Sequence, residues 1–204
     1  MIITIDYGTR KCGYAIGSQF IRKSGVVKTE KINDIIKSGK TIVLGLPLSM
    51  SGNYSSQTFK VLKFGEKLVK KGFEVYLYDE RLTSRMAKSY GIKDDDAFSA
   101  RQIFLDYIQN PEVAQKLLIV KPLNIKLFES NILYVETPPA INVKKCIALT
   151  KNHSIALAHY KKQNLVIKSL KSIDKKFDII VLRKDFLIKD FYNHISENGI
   201  IIKV

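Results

Sequence analysis

Three acidic residues stand at the ends of three predicted secondary-structure elements. Asp6 follows the run ITI, Glu80 ends the run VYLYDE, and Asp96 closes an aspartate triplet before the run AFSA. A fold that gathers these ends would bring carboxylates close together, which raises their pKa values unless a cation offsets the repulsion. Oxygen ligands of this kind suit Mg²⁺ and related ions. The pattern therefore favours metal-assisted hydrolysis of a phosphodiester, as in a nuclease.

Each acid also has a simpler structural explanation. Asp6 could cap its own turn, as Asp-x-Gly sequences often do. Glu80 could be a surface acid that pairs with Arg81 next to it. The triplet Asp94–Asp96 could cap a helix or favour its first turn, although three acids in a row exceed what capping requires. Only a fold that brings the acids together separates the two explanations.

The elements that would position these acids form a mixed α/β pattern in the first half of the chain. Three short β-rich runs, IITIDYG, CGYAIG and FIRKSGVVKT, predict an antiparallel meander. A short helix over EKINDIIKSG and a buried central strand over TIVLGLP follow. We then predict a helix over Ser55–Lys71, a strand over FEVYLYDE, and a helix through AFSARQIFLDYIQN that Pro111 ends.

The second half predicts another, smaller α/β domain. We place the first domain at residues 1–112, a linker with weak periodicity at 113–130, and a basic domain at 131–204. Strands are predicted over ILYVE, SIALAHY, LVIKSL, FDIIVL and GIIIKV, and helices over NVKKCIAL, which contains Cys146, and FLIKDFYNHIS. Alternation of strands and helices is typical of a mostly parallel sheet.

Composition narrows the class of protein. The formal net charge is +15, and residues 113–204 carry 16 Lys and Arg against 7 Asp and Glu. Such a charge favours a polyanionic partner, although lysine-rich composition alone can produce it. The two cysteines have no metal-ligand spacing, and the sequence shows neither a signal peptide nor a membrane-spanning run. We expect a reduced, cytoplasmic protein with no membrane partner.

Four blocks in the first half resemble the YqgF family, also called RuvX, of RNase H-like nucleases. They are DYGTRKCGYAIG, IVLGLPLSMSGNYSSQTFKVLKF, YLYDERLTSRMA and DDDAFSARQIFLDYI, in this order. The resemblance implies an RNase H-like mixed sheet flanked by helices and a phosphodiesterase that depends on Mg²⁺ or Mn²⁺. It also implies a role in processing the 5′ end of pre-16S rRNA, in ribosome biogenesis. A Holliday junction resolvase acting on DNA is the alternative.

The resemblance also assigns roles to residues. The family's three catalytic acids, which are its metal ligands, fall on Asp6, Glu80 and Asp96, and they would hold one or two ions. The substrate-binding residues would be Arg10, Lys11 and Arg81. The basic pair after the first acid reads Lys-Arg in the family but Arg10-Lys11 here, and only arginine can grip phosphate with a bidentate fork.

Other classes of protein explain less of the sequence. ATPases of the actin and Hsp70 type share an Asp-x-Gly-Thr loop like residues 6–9, but they need a second phosphate loop that this chain lacks. The tetrapeptide Ser38–Thr41 resembles part of a P-loop, yet Asp34 replaces the first glycine. A non-catalytic RNA-binding factor for ribosome assembly, with the same fold, stays open as an alternative.

The second domain resembles a degenerate Rossmann-like fold of the methyltransferase or aminopropyltransferase kind. The tetrapeptide Glu136–Pro139 replaces the glycine loop that would approach a nucleoside cofactor. We therefore expect an accessory domain that adds phosphate contacts or docks a partner. The expected partners of the whole chain are structured RNA, or branched DNA in the alternative, and ribosomal precursor particles.

Overall fold

A computed structural model describes residues 1–81, 96–128, 131–143, 145–171 and 173–204 of this protein. Contacts within the chain define two compact units. The first unit comprises Met1–Ser51 and Ser55–Leu118, and the second comprises Gly52–Tyr54 and Ile119–Val204. Within the described ranges, no helix is both long and apolar enough to cross a membrane.

The first unit contains a six-stranded mixed sheet of order β3-β2-β1-β4-β5-β6. Its strands are β1 (Ile2–Tyr7), β2 (Lys11–Gly17), β3 (Ile21–Lys28), β4 (Thr41–Leu46), β5 (Glu74–Asp79) and β6 (Gln115–Lys116). Strands β1, β2 and β3 form the predicted antiparallel meander, whereas β1, β4 and β5 run parallel to one another. Strand β6 pairs antiparallel with β5 and lies in the segment predicted as a linker.

Within the described part of the first unit, three α-helices occur where the sequence predicts them. They are α1 (Ile32–Ile36), α2 (Ser56–Lys70) and α3 (Asp96–Gln109), with short 3-10 helices at Thr29–Lys31 and Pro111–Val113. Ser55 caps α2 by accepting a hydrogen bond from the Thr58 amide, and Gly72, with a φ of 91°, follows its end. These elements form the predicted RNase H-like mixed sheet with flanking helices.

Strand β1 shows that α2 and α3 lie on opposite faces of this sheet. The Thr4 hydroxyl donates a 2.6 Å hydrogen bond to the Ala100 carbonyl of α3, whereas the Tyr7 ring stacks on Phe64 of α2 at 4.3 Å. Successive residues of a strand point to opposite faces. Asp6 has the same parity as Thr4, so its side chain is on the α3 face.

The second unit contains a five-stranded, wholly parallel sheet of order β11-β10-β7-β8-β9. Its elements are β7 (Ile132–Val135), β8 (Ile147–Leu149), α4 (His153–Lys161), β9 (Leu165–Ile167), β10 (Phe177–Leu182), a 3-10 helix (Ile188–His194) and β11 (Ile195–Lys203). Counted within this unit the strand order is 3-2-1-4-5, which is the order of the doubly wound Rossmann fold. The predicted Rossmann-like class is therefore correct.

Two predicted elements of the second unit are wrong. The run SIALAHY forms helix α4 rather than a strand, because the Asn152 side chain accepts hydrogen bonds from the amides of Ser154 and Ile155 and starts the helix. The run NVKKCIAL contains strand β8 rather than a helix, and Cys146 is buried just before it. Both runs are short and apolar, and at that length periodicity does not distinguish helix from strand. The run FLIKDFYNHIS forms a 3-10 helix.

Candidate active site

Asp6 and Glu80 lie at the same edge of the first sheet. Strands β1, β4 and β5 are parallel, so their carboxyl ends coincide, and the register aligns Ile5 with Leu44 and Leu46 with Asp79. Strand β4 separates β1 from β5, which places their backbones about 10 Å apart. A side chain from β5 must therefore cross β4 to reach β1.

Gly45 provides the space for that crossing. A Cβ atom at position 45 would lie 2.1 Å from Oε1 of Glu80 and 2.7 Å from the Ile103 side chain. With hydrogen in place of a side chain, the Glu80 carboxyl extends over β4, where Oε1 is buried. There it lies within hydrogen-bond range of the Asp6 carboxyl. The two acids thus form a direct pair although their strands are not neighbours.

The environment of this pair favours a positive ion. Burial, followed by the charges of Asp6 and Asp79, raises the pKa of Glu80 to about 8. Two carboxyls this close repel each other when both are charged, so a positive charge between them is favourable. A divalent cation with oxygen ligands could supply that charge and offset both carboxylates. Asp6 and Glu80 consequently fit the predicted role of metal ligands.

Asp96 reaches the same neighbourhood from helix α3. Gly13, the antiparallel partner of Asp6, lies against the first residue of this helix, and a Cβ there would be 1.7 Å from the Asp96 carbonyl oxygen. Gly17 makes a second close contact, with the Phe104 ring. Eight helical residues and four strand residues both span about 12 to 13 Å, so α3 runs along β2 from one glycine to the other.

The carboxylate of Asp96 pairs with a lysine. Its Oδ2 lies 2.7 Å from Nζ of Lys11 on β2. Asp6 and Asp96 both act on the buried thiol of Cys12, whose pKa is raised first by burial and then by these two charges. Cys12 is fully buried, as expected of a small apolar residue. Asp6 and Asp96 therefore lie within electrostatic range of the same atom.

Two of the three predicted acids form a pair, and the third lies nearby without joining it. Asp6 and Glu80 contact each other, whereas Asp96 contacts Lys11. Across the described ranges, no three His, Cys, Asp or Glu side chains are arranged as a set that could hold a metal ion. Asp94 and Asp95, predicted as caps or bystanders, fall outside those ranges.

The three predicted substrate-binding residues have different surroundings. Lys11 holds Asp96, while the Arg81 guanidinium binds both oxygens of Asp79, with its Nη2 2.6 Å from Oδ2. The arginine therefore pairs with Asp79 rather than with Glu80, and this pairing raises its pKa. Arg10 is exposed, and its carbonyl accepts a hydrogen bond from the Thr29 amide.

Sequence reasoning did not identify Gly13, Gly45 or Asp79 as parts of this site. A signal for Gly45 was present, because an isolated glycine within the apolar strand TIVLGLP indicates a close approach by another group. Gly8, the glycine of the Asp-x-Gly sequence that begins at Asp6, lies against the chain's own Lys11 carbonyl, whose oxygen would be 2.2 Å from a Cβ.

Comparison with known proteins identifies the family. The family model RuvX, described as Holliday junction resolvase, matches residues 1–109. A Thermotoga maritima protein named "Putative pre-16S rRNA nuclease" is 35% identical over 207 residues, covering 98% of this chain and 92% of the relative. The chain belongs to the RuvX family. All four motif blocks lie within the matched residues, so the resemblance predicted from them is confirmed.

Other RuvX relatives match a smaller part of this chain. Proteins of the same name from Rickettsia africae and Rickettsia bellii are 37% and 38% identical to this chain. These matches cover 53% and 50% of this chain, and 88% and 81% of the respective relatives. The RuvX model ends before the second unit, whereas the Thermotoga match extends over almost the whole chain. The names of these relatives support the prediction of a nuclease.

Proposed function

We propose that this protein is a divalent-metal-dependent nuclease that processes the 5′ end of pre-16S rRNA. The observation that carries the proposal is the buried Glu80 carboxyl, which extends over Gly45 and lies beside the Asp6 carboxyl, where a cation would offset both charges. The names of the relatives from Thermotoga and Rickettsia support rRNA as the substrate. The protein would act in the cytoplasm on structured RNA within ribosomal precursor particles.

Asp6 and Glu80 would hold Mg²⁺ or Mn²⁺ by their carboxylate oxygens, and Asp96 would complete the set. When bound, the cation supplies a Lewis acid that stabilises the negative charge developing on the phosphate. Glu80 must be ionised for this, so cation binding would be linked to loss of any proton that its raised pKa retains. Burial of Glu80 lowers the local dielectric response, which strengthens the hold of its carboxylate on a cation.

The basic residues near the pair would position the substrate. Lys11 pairs with Asp96 in the described structure, and its ammonium group would be available to a phosphate oxygen if Asp96 held a cation instead. Arg81, oriented by Asp79, presents guanidinium N–H groups at the same end of β5. Contacts of this kind fix the backbone of a nucleic acid without selecting its sequence.

A Glu80→Gln variant tests the catalytic role of the pair. Glutamine keeps the shape of Glu80 but cannot carry the negative charge that a cation requires. We expect the rate of Mg²⁺-dependent cleavage of a 5′-extended 16S rRNA fragment to fall by at least about a hundredfold. Glu30→Gln, at an exposed position of a 3-10 helix, is the matched control and should cleave normally. Cleavage by Glu80→Gln at the wild-type rate would contradict the proposal.

The description of the family model favours a second candidate, resolution of branched DNA. The same two variants should then be tested on a four-way DNA junction. Faster Glu80-dependent cleavage of the junction than of the rRNA fragment would favour this alternative. If the wild-type protein cleaves neither substrate but binds the rRNA fragment, a non-catalytic assembly factor is the better explanation.

A further inference from the structure

All five strands of the second unit end at the same edge of its sheet. Because the strands are parallel, their carboxyl ends lie together at this edge. Backbone hydrogen bonds continue past the strand ends, from Arg183 N to Val135 O at 3.2 Å and from Glu136 N to Leu149 O at 2.9 Å. The residues that follow neighbouring strands therefore lie side by side along an edge about 19 Å long, which corresponds to four strand spacings.

In doubly wound folds this edge binds ligands at the switch point, here between β7 and β10. The chain's own Glu136 follows β7 at that point, with a φ of 49°. Its carboxylate accepts hydrogen bonds from the Thr150 hydroxyl at 2.8 Å and from the Lys151 amide at 2.5 Å, which tie it to the end of β8. Thr137 donates to the Val181 carbonyl of β10. These contacts fix the loop after β7, which in cofactor-binding Rossmann folds approaches the nucleotide.

Basic side chains dominate the same edge. We call the exposed residues after β8 and at the ends of β10 and β11 the carboxyl-edge surface: Lys151, Arg183, Lys184 and Lys203. Arg183 is held by Asp185 at 2.6 Å, and Lys203 Nζ donates to the Lys184 carbonyl at 3.1 Å. Asp185 and Glu136 are the acids whose charges act on Arg183. The surface therefore carries a net positive charge.

We propose that the carboxyl-edge surface binds the phosphate backbone of structured RNA. The inference rests on the proposed function for its choice of RNA as the polyanion. Ammonium groups on exposed lysines attract phosphates without reading bases, which suits an accessory contact on a long substrate. A nucleotide cofactor is disfavoured at this edge because Glu136 places a fixed carboxylate where its phosphates would lie.

Two triple variants with the same loss of charge test this surface. One changes Lys151, Lys184 and Lys203 to Gln at the carboxyl edge. The other changes Lys145, Lys175 and Lys176 to Gln, which are exposed residues just before β8 and β10 at the opposite edge. Each variant loses three positive charges, so the general electrostatic attraction falls equally. Affinity for a labelled rRNA hairpin is measured without divalent cations at KCl concentrations from about 50 to 200 mM.

We expect the carboxyl-edge variant to bind at least about tenfold more weakly near 100 mM KCl, with a salt slope smaller by about 2 to 3. The opposite-edge variant should stay within about threefold of wild type. Equal losses in both variants would overturn the proposal, because they would show a general charge effect. Unchanged affinity in the carboxyl-edge variant would also overturn it and would point to an acidic protein as the partner. Because no cleavage is measured, the result is independent of whether the protein is a nuclease.

Discussion

The Glu80 carboxyl lies directly over Gly45, where a Cβ atom would stand 2.1 Å from Oε1. Strand β4 lies between the strands that carry Asp6 and Glu80, and only a residue without a side chain lets the two acids meet across it. The glycine therefore positions an acid that belongs to another strand. Its backbone is ordinary β-strand, so the requirement is for space rather than for an unusual conformation.

We predict that Gly45→Ala lowers cleavage activity by about a hundredfold, because displacement of a catalytic group by about 1 Å can cost that much. The added methyl group would also push against Ile103, so some loss of stability is expected. Rates of Mg²⁺-dependent cleavage and urea midpoints should be measured together on the same preparation.

Gly25→Ala is the matched control for this prediction. Gly25 lies in β3, and a Cβ there would approach no atom closer than Tyr14 Oη at 3.2 Å. This variant should keep wild-type activity. A Gly45→Ala protein that is folded and fully active would show that Glu80 does not need to cross β4.

Lys11→Gln should separate substrate binding from cation binding. Loss of the ammonium removes a phosphate contact, so KM for RNA should rise several-fold. It also frees Asp96 from its 2.7 Å ion pair and removes a repelling charge, so half-maximal activity should need less Mg²⁺. Because Lys11 is largely exposed, the free energy of unfolding should change by less than about 1 kcal/mol.

The Mg²⁺ titration and the RNA titration should be performed independently for this variant. Arg10→Gln, which removes an exposed neighbouring charge, provides the comparison. An unchanged or higher Mg²⁺ requirement in Lys11→Gln would contradict a competition between the lysine and the cation for Asp96.

His159 gives the second unit a predicted sensitivity to acid. Its Nε2–H donates to the Thr137 carbonyl, and its Nδ1 accepts from the Asn164 amide, both at 2.9 Å. The side-chain amide of Asn164 cannot flip without losing a second hydrogen bond, because its Oδ1 accepts one from the Cys146 amide at 3.0 Å. If Nδ1 of His159 were protonated, its N–H would point at the N–H of Asn164, and two donors would face each other. This network and the burial of the ring hold His159 neutral, and burial lowers its pKa to about 4.

The direction of the pH effect follows from that pKa. Between pH 6.5 and about 4, His159 is protonated in the unfolded chain but neutral in the folded chain. The contribution of His159 to the free energy of unfolding is therefore fully present above pH 6.5 and is lost as the pH falls towards 4. Over this range the free energy of unfolding falls by about 3 kcal/mol because of this one residue. Hydrogen exchange of peptides from the second unit, measured at several pH values, should report it.

His159→Gln should be less stable than wild type at pH 7, and its stability should depend less on pH over this range. His194→Gln, at the end of a 3-10 helix, is the comparison. Equal pH dependence of wild type and His159→Gln would show that the histidine is not the acid-sensitive group.

Much of the first unit could be predicted because its signals are local. Gly72 follows the end of α2, and the strands of the meander are short β-rich runs within continuous segments. The second unit was harder because its elements are short. In SIALAHY the apolar residues suit either structure, and the cap provided by Asn152, two residues before the run, favoured a helix.

The sequence by itself determined the family and the three candidate acids, since four motif blocks and the ends of the predicted elements are properties of continuous segments. Only the tertiary structure decided which acids meet. Asp6 contacts Glu80 because strand order places β4 between them and Gly45 leaves room, whereas Asp96 pairs with Lys11 because Gly13 admits the start of α3. Such distances depend on register and on packing between distant segments, which local periodicity does not contain.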